Sequence, residues 1–140
     1  MSENNFTHPI EVRYGDLDPQ GHLNNSKYLT YFETARTHYF IQLELFKERT
    51  SFLDIGVILA DIHLSFHAPV MFGDDIVVSV RTTHLGNKSF KVQQSLINRS
   101  NGIEVCTGEV VLVSYDYHTG KTIPIPMEWR EKITQFENLA

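Results

Sequence analysis

One apolar stripe with helical spacing dominates the first half of the sequence. The residues that form it recur at steps of three or four positions and are Tyr28, Phe32, Ala35, Tyr39, Leu43 and Phe46. This spacing places them on one side of a helix of about five turns, which we predict over residues 26–47. A helix with one apolar face is stable only against a second apolar surface, so the rest of the chain has to supply that surface.

A change to period two in the second half of the chain predicts this surface. Residues 58–68 alternate and end at Pro69, which is typical of a strand with one apolar face. The residues of that face are Ile58, Ala60, Ile62, Leu64, Phe66 and Ala68. Further strands are predicted to begin near Ile76 and Phe90. Residues 103–117 form a long β-rich run, and the consecutive apolar residues 110–113 within it indicate a central strand buried on both faces.

The remaining segments complete one domain. Residues 10–14 alternate and predict a first strand before the helix, and residues 127–139 predict a terminal helix. A chain of 140 residues is long enough for one domain, which we assign to residues 1–140. The fold class predicted is α+β, with an antiparallel five-stranded sheet wrapped around one long α-helix.

The loop between the first strand and the helix combines residues with distinct backbone needs. Pro19 fixes its own φ and biases the backbone of Asp18 away from the α region, while Gly21 allows a positive φ. Asn24 or Asn25 is a suitable N-cap for the helix that follows. The loop is therefore expected to hold one shape and to bring the Asp18 carboxylate to the N-terminus of the helix.

Composition excludes several classes of protein. The net charge is −5 and no basic block stands out, which argues against nucleic acid as a partner. No apolar run reaches the roughly 18 residues that a membrane helix needs, and the first residues lack the features of a signal peptide. Cys106 is the only cysteine, which fits a reducing, cytoplasmic environment without disulfides.

A longer motif connects the loop with the helix. It reads Asp16-x-Asp18-x-x-Gly21-His22-x-Asn24-Asn25-x-x-Tyr28, followed by Tyr31-x-Glu33-x-Ala35-Arg36. The motif resembles the signature of hotdog-fold acyl-CoA thioesterases, in particular the 4-hydroxybenzoyl-CoA thioesterase-like family. The resemblance continues through residues 69–75, 85–90 and 120–121, and so covers nearly the whole chain. It implies hydrolysis of an acyl- or aroyl-CoA, with no cofactor besides the coenzyme A of the substrate.

The resemblance also implies roles for individual residues. Asp18 matches the carboxylate that acts on the thioester carbonyl as nucleophile or general base, and the backbone amide of Asn25 matches the oxyanion hole. Such an aspartate is ionised at neutral pH, and the thiolate leaving group is weakly basic, so a strong general acid is not needed. Positions expected to contact the substrate are His22, Asn24, Lys88 and Ser89. His22 could instead pack the loop, and Gly86-Asn87 replaces the arginines that some relatives carry beside Lys88.

Other polar residues have structural interpretations. Asp16 is expected to tie the loop through hydrogen bonds and Gly21 to permit its turn, while Glu33 and Arg36 are expected to form an i,i+3 pair on the helix. A second group, Asp61, His63 and His67, shares one face of the strand at residues 58–68 and superficially resembles metal ligands. Nothing else in the sequence completes such a site, so a solvated or intersubunit sheet face is favoured and no metal is expected.

Two alternative functions and an assembly follow from the same resemblance. A hotdog dehydratase would use a histidine with an acidic partner, but the chain lacks an Asn-Pro-x-His core. A non-catalytic acyl-CoA-binding protein would bind the same ligand without turnover. The strand at residues 58–68 is expected to pair with its twin in a homodimer, possibly within a tetramer, because an open sheet edge favours such pairing.

Overall fold

A five-stranded antiparallel sheet carries one long helix on one face. The computed structural model describes residues 6–46, 54 and 56–139. Its strands are Thr7–Ile10 (β1), Val57–Phe66 (β2), Ile76–Leu85 (β3), Ser89–Asn98 (β4), Ile103–Asp116 (β5) and Lys121–Thr122 (β6), and its helices are Asn25–Gln42 (α1) and Met127–Glu137 (α2). The sheet order is β1-β3-β4-β5-β2, and the short β6 pairs with the end of β5. The predicted α+β architecture and the terminal helix are confirmed. Strand β5 lies inside the sheet, between β4 and the edge strand β2, but the prediction that both its faces are buried is wrong, because Val110 and Leu112 are buried whereas Val111 and Val113 are partly exposed.

The contact between α1 and the sheet depends on one glycine of β5. A Cβ atom at Gly108 would lie 2.7 Å from Cε2 of Phe32 and 2.6 Å from Cδ2 of Leu64. Both distances are well below van der Waals contact, so the helix approaches the sheet this closely only because Gly108 has no side chain. Phe32 is completely buried at this point, in the middle of the core.

The helix α1 ends earlier than its apolar stripe predicts. Leu45 N donates to Phe40 O and Glu44 N donates to Ile41 O, which is the hydrogen-bond pattern of a Schellman motif. Glu44 has a φ of 62°, in the left-handed region that such a motif requires. Because that position is usually glycine, the sequence contains no signal for this end. The predicted end at Lys47 lies outside the described residues, but α1 itself stops at Gln42.

A β-bulge in β2 overturns the prediction of a single apolar face over residues 58–68. The register with β5 shifts between Leu59 and Asp61. Leu59 pairs with Leu112 on the core side, and beyond the bulge Ile62 pairs with Val110 on the same side. Ile58 pairs with Val113, on the outer face. An extra residue reverses the side chain alternation, so the apolar positions before and after Ala60 do not share a face.

The first strand also lies earlier than predicted. Strand β1 ends at Ile10, and Tyr14–Asp16 form a short 3₁₀ turn in place of a strand at residues 10–14. The Asp16 carboxylate accepts hydrogen bonds from the backbone N–H and the guanidinium of Arg13. Leu17 N closes the turn by donating to Tyr14 O. These local bonds compete with strand pairing and explain why the alternation here does not form a strand.

The terminal helix α2 covers the end of α1. Trp129 packs on the rings of Phe40 and Phe46, and Ile133 is fully buried. Arg130 donates a 2.7 Å hydrogen bond to Gly86 O in the turn between β3 and β4. No helix in the described part of the chain is both long and apolar enough to span a membrane.

Candidate active site

The backbone of the loop after β1 fixes the Asp18 carboxylate. Asp18 Oδ1 accepts hydrogen bonds from Gln20 N at 2.9 Å and from His22 N at 3.2 Å. Asp18 N donates to His22 O at 2.7 Å, and Gly21, at a φ of 83°, completes the turn. One carboxylate oxygen is thus held by the loop, while Oδ2 has no hydrogen-bond partner among the described residues. These hydrogen bonds bring the Asp18 carboxylate to the start of α1, where the sequence predicts it.

The N-terminus of α1 lies beside this loop. Asn24 is the N-cap, and its side chain oxygen accepts from Ser26 N at 3.0 Å. Asn25 is the first helical residue, so its N–H has no acceptor within the helix. The partial positive charge of the helix N-terminus favours an anion at this place. Of the two predicted caps, the structure selects Asn24 and leaves the Asn25 amide available.

A cavity of about 400 Å³ joins the loop, the helix N-terminus and the end of β2. Its lining residues are Asp18, Gln20, His22, Leu23, Asn25, Tyr28, Phe66, His67, Ala68 and Pro69. The cavity therefore brings together Asp18, His22 and Asn25, three of the residues singled out from the sequence. Asn24 is not among its lining residues, because its side chain is engaged in the cap.

Asp16 has a different environment from Asp18. Its side chain is 1% exposed and accepts from Arg13 Nη2 at 3.0 Å and from Tyr31 Oη at 2.7 Å. These hydrogen bonds, that of Arg13 first, hold the pKa of Asp16 below its usual range although burial opposes them. Its backbone oxygen also accepts from Asn24 N at 2.9 Å. Asp16 thus links the loop to the start of α1, as a structural residue would.

Lys88 and Ser89 lie far from Asp18 within one protomer. Lys88 O accepts from Ser114 N, and Ser114 pairs with Val57 at the start of β2. The Asp18 cavity lies at the other end of that strand, at Phe66. Nine residues of extended chain separate the two ends, which corresponds to roughly 30 Å. Lys88 Nζ points to Thr122 Oγ1 at 3.5 Å.

Arg36 does not pair with Glu33, contrary to the i,i+3 prediction. Its guanidinium is buried and donates from Nη1 to Gln94 Oε1 at 3.1 Å. Gln94 in turn donates to Phe32 O, so the amide bridges α1 and β4. Glu33 is exposed one turn earlier on the same side of α1, and no ion pair joins it to Arg36. Arg36 is directed into the core because a buried amide acceptor is available there, and burial lowers its pKa.

A larger cleft of about 640 Å³ opens between α1 and the start of β2. It is lined by Glu33, Thr34, Arg36, Thr37, His38, Phe40, Phe46, Val57, Leu59, Leu112 and Tyr117. None of these residues lines the Asp18 cavity. Thr37 lies twelve residues beyond Asn25 on α1, roughly 18 Å away along the helix axis. The cleft and the cavity thus occupy opposite ends of one seam between helix and edge strand.

The residues considered as metal ligands do not form a metal site. Within residues 6–46, 54 and 56–139, no three histidine, cysteine, aspartate or glutamate side chains are arranged to hold a metal ion. His67 Nε2 lies 3.0 Å from Thr107 Oγ1, and His63 faces outward on the polar side of the sheet beside Glu109. Cys106 is buried, and burial raises the pKa of its thiol to about 12, so it is protonated near neutral pH.

Sequence reasoning missed the wall of the cavity that β2 provides. Phe66 stacks edge-on against Tyr28, with ring centroids 4.9 Å apart, yet it remains 49% exposed at the sheet edge. Burial raises the pKa of Tyr28 to about 12, so its hydroxyl is neutral. Tyr28 belongs to the motif quoted above, but the approach of Phe66 to it depends on how β2 crosses the helix.

Comparison with known proteins identifies relatives over most of the chain. The family profile described as the thioesterase-like superfamily matches residues 12–133. The long-chain acyl-CoA thioesterase FadM of Escherichia coli strain K12 is 27% identical over 126 residues, which cover 90% of this chain and 95% of that protein. The acyl-CoA thioester hydrolase YbgC of Escherichia coli O157:H7 is 26% identical over 121 residues, covering 83% and 86% of the two chains.

A solved structure agrees with these sequence relatives. A thioesterase from Thermus thermophilus, crystallised with coenzyme A and zinc, superposes with a TM-score of 0.86 at 30% identity. The superposition covers 100% of both chains. The arrangement of sheet and helix described above is therefore shared over the full length of that protein.

Proposed function

The chain belongs to the thioesterase-like superfamily, and on that premise we propose that it hydrolyses an acyl- or aroyl-CoA thioester to the free acid and coenzyme A. The named relatives FadM and YbgC, an acyl-CoA thioesterase and an acyl-CoA thioester hydrolase, support this reaction. The observation that carries the proposal is the position of Asp18, held by two backbone N–H groups in a cavity at the N-terminus of α1.

Asp18 acts on the thioester carbonyl in this proposal. In one route Oδ2 attacks the carbonyl carbon, and the acyl–aspartyl anhydride left after the thiolate departs is hydrolysed by water to the free acid and the carboxylate. In the other route Oδ2 takes a proton from the attacking water and later returns it to the departing thiolate or to solvent. In both routes the anchored Oδ1 sets the direction of Oδ2. The oxyanion that develops accepts a hydrogen bond from the free N–H of Asn25. Breakage of the C–S bond releases the coenzyme A thiolate, which is a weak enough base to leave without a strong general acid. Cys106 takes no part, because it is buried and protonated.

The proposed enzyme is a two-fold dimer that continues the sheet through β2. This strand lies at the edge of the sheet and exposes Ile58, Leu59 and Phe66 by 40%, 45% and 49%. Pairing with a second copy would satisfy its free backbone groups and cover these side chains. Antiparallel pairing about the middle of β2 brings Val57 of one protomer opposite Phe66 of the other. The cleft of one protomer then adjoins the Asp18 cavity of its partner.

The same pairing would let Lys88 contact the substrate bound at the other protomer. Within one protomer Lys88 and Asp18 lie at opposite ends of the sheet, but the two-fold axis brings Lys88 of the partner subunit to the end that carries Asp18. The diphosphate and ribose phosphate of coenzyme A need local cations on a chain of net charge −5. We therefore assign Lys88 to the phosphates of the substrate bound at the opposite protomer, with Ser89 beside it.

A hydrolysis screen tests the proposal. The purified protein is mixed with acyl-CoA and aroyl-CoA substrates of graded size, and the release of free thiol is followed. We expect thiol release from at least one substrate class, and its loss in the Asp18→Asn variant. Binding of acyl-CoA by calorimetry without thiol release would instead identify a non-catalytic acyl-CoA-binding protein and would refute hydrolysis.

A further inference from the structure

The cleft between α1 and β2 has an open side and a closed end, which the exposure of its residues distinguishes. Glu33, Thr37 and Leu59 are exposed and form the rim. Phe40 and Phe46 are 2% and 9% exposed, and they form the inner end together with the buried Leu112 of β5. A ligand that enters from the sheet edge therefore passes a mixed rim and meets apolar side chains last.

The closed end is an aromatic wall more than one ring deep. The rings of Phe40 and Phe46 lie 5.1 Å apart between centroids. Trp129 of α2 stands behind both of them, 6.4 Å from Phe40 and 5.8 Å from Phe46. The indole also packs toward the chain at Gly56, where a Cβ would lie 3.8 Å from its Cη2 atom. The wall is thus supported from two other segments and cannot recede without repacking α2.

We propose that Phe40 and Phe46, backed by Trp129, form the wall that limits the length of the acyl chain accepted by this protein. The inference rests on the proposed function, in which the acyl group enters the cleft from the Asp18 cavity of the partner subunit. The cleft volume of about 640 Å³ lies within the range of roughly 300–1,000 Å³ typical of small-molecule sites. Its apolar inner end suits an unbranched alkyl tail or one aryl ring, with the terminal methyl group or ring edge against the wall.

Two charged residues line the cleft, Glu33 at the exposed rim and Arg36 further in, and both are compatible with an apolar tail. Arg36 lines the cleft, but its Nη1 is engaged by the Oε1 atom of the buried Gln94 on the sheet side. The path from the rim to the wall follows Leu59, Val57 and Leu112, which are apolar. The aliphatic stem of Arg36 can pack along this path while its guanidinium group stays hydrogen-bonded. The wall, and not a charge, therefore sets where the ligand ends.

Acyl-CoA substrates of increasing length test the wall. For the wild type, we expect kcat/KM to rise by about fourfold with each added methylene that enters the cleft. Beyond one chain length, which we call the break, kcat/KM should stop rising. Phe46→Ala removes a ring of the wall, so the break should move to chains several methylenes longer. Thr37→Phe fills the cleft from an exposed helix position, so the break should move to shorter chains.

Phe136→Ala is the matched control. Phe136 lies on α2 and packs on Tyr39, with ring centroids 6.0 Å apart, but it does not line the cleft. This variant loses the same number of atoms and should keep the wild-type break. If folded Phe46→Ala and Thr37→Phe proteins both keep that break, the cleft does not hold the acyl chain and the inference is wrong.

Thioether analogues of the same acyl-CoA series separate this inference from the proposed reaction. They bind but cannot be hydrolysed, so the change of their dissociation constants with acyl length measures binding in the cleft without the chemical step. A break in affinity that shifts with Phe46→Ala, without hydrolysis of any thioester, would refute the proposed reaction and support the wall. Hydrolysis with an unshifted break would support the reaction and refute the wall.

Discussion

Tyr31 donates a 2.7 Å hydrogen bond from its hydroxyl to Asp16 Oδ2, and this contact joins the second turn of α1 to the loop that carries Asp18. Asp16 is 1% exposed, whereas Asp18, two residues later, lines an open cavity. The two carboxylates of the motif therefore have separate tasks. Asp16 ties the loop to α1, whereas Asp18 is the carboxylate that acts on the substrate in the proposed function.

Asp16→Asn should lower stability. The amide cannot replace the charge that pairs with Arg13, so we expect a loss of about 1–3 kcal/mol in the free energy of unfolding. Because hydrogen bonds hold the pKa of Asp16 low, its contribution is present above its unfolded pKa and is lost as the pH falls through the folded value. Denaturant titrations of both proteins near neutral pH and at acidic pH measure this. An equal loss at every pH would contradict the role assigned to its charge.

Asp18→Ala should abolish most of the activity while the fold persists. We expect kcat to fall by roughly 10²–10⁴, the range for a positioned acid–base group. Asp18→Asn is the sharper variant, because its side chain oxygen can still accept from Gln20 N and His22 N. Kinetics on the best substrate, together with circular dichroism, tests both. Near-wild-type turnover by folded Asp18→Asn would exclude the carboxylate from the reaction.

The dimer should place each Asp18 beside the cleft of the other protomer. Sedimentation at micromolar concentration should give at least twice the mass of the chain, and a stable monomer would contradict the pairing of β2. Co-refolding Asp18→Ala with Thr37→Phe makes a mixed dimer in which one site carries both changes and the other carries neither. Turnover of the longest good substrate should then reappear. If cavity and cleft belong to the same protomer, each site keeps one defect and no activity returns.

Lys88→Ala should raise KM several-fold and leave kcat little changed. A phosphate contact is similar in the ground state and the transition state, so it contributes to binding and not to the chemical step. Rising salt should weaken substrate binding more in the wild type than in the variant. Lys91→Ala is the control, since Lys91 is exposed on β4 three residues away. An unchanged KM and salt dependence would move the phosphates to another cation.

Glu137 should make stability depend on pH. Its carboxylate on α2 accepts hydrogen bonds from Tyr39 Oη and from Thr82 N, and burial raises its pKa above the usual value. The folded state therefore binds this proton more tightly than the unfolded state, and stability falls as the pH rises through the folded pKa. Glu137→Gln should remove that fall, seen as a smaller decrease in Tm between about pH 4 and pH 8. The exposed Glu131→Gln should keep the wild-type profile.

The spacing of nearby residues in the sequence was enough to predict the main helix and strands and the loop that carries Asp18. The stripe from Tyr28 to Phe46 predicts α1 because helical spacing is a property of neighbouring residues, and Pro19 with Gly21 predicts a rigid loop for the same reason. The motif around Asp18 resembles the family signature on the strength of its sequence alone. These features depend on residues a few positions apart, which a sequence displays directly.

Tertiary structure alone decided what lies together in space. The bulge in β2 reverses which side chains face the core, the turn at Glu44 ends α1 without a glycine, and Gln94 draws Arg36 away from Glu33. The last contact spans 58 residues of sequence, and the contact between Tyr39 and Glu137 spans 98. Such pairs form because a buried donor needs whichever acceptor the packed core provides, and periodicity contains no record of that partner. The aromatic wall of the cleft arises in the same way, since Trp129 reaches Phe40 and Phe46 only after α2 packs against the end of α1.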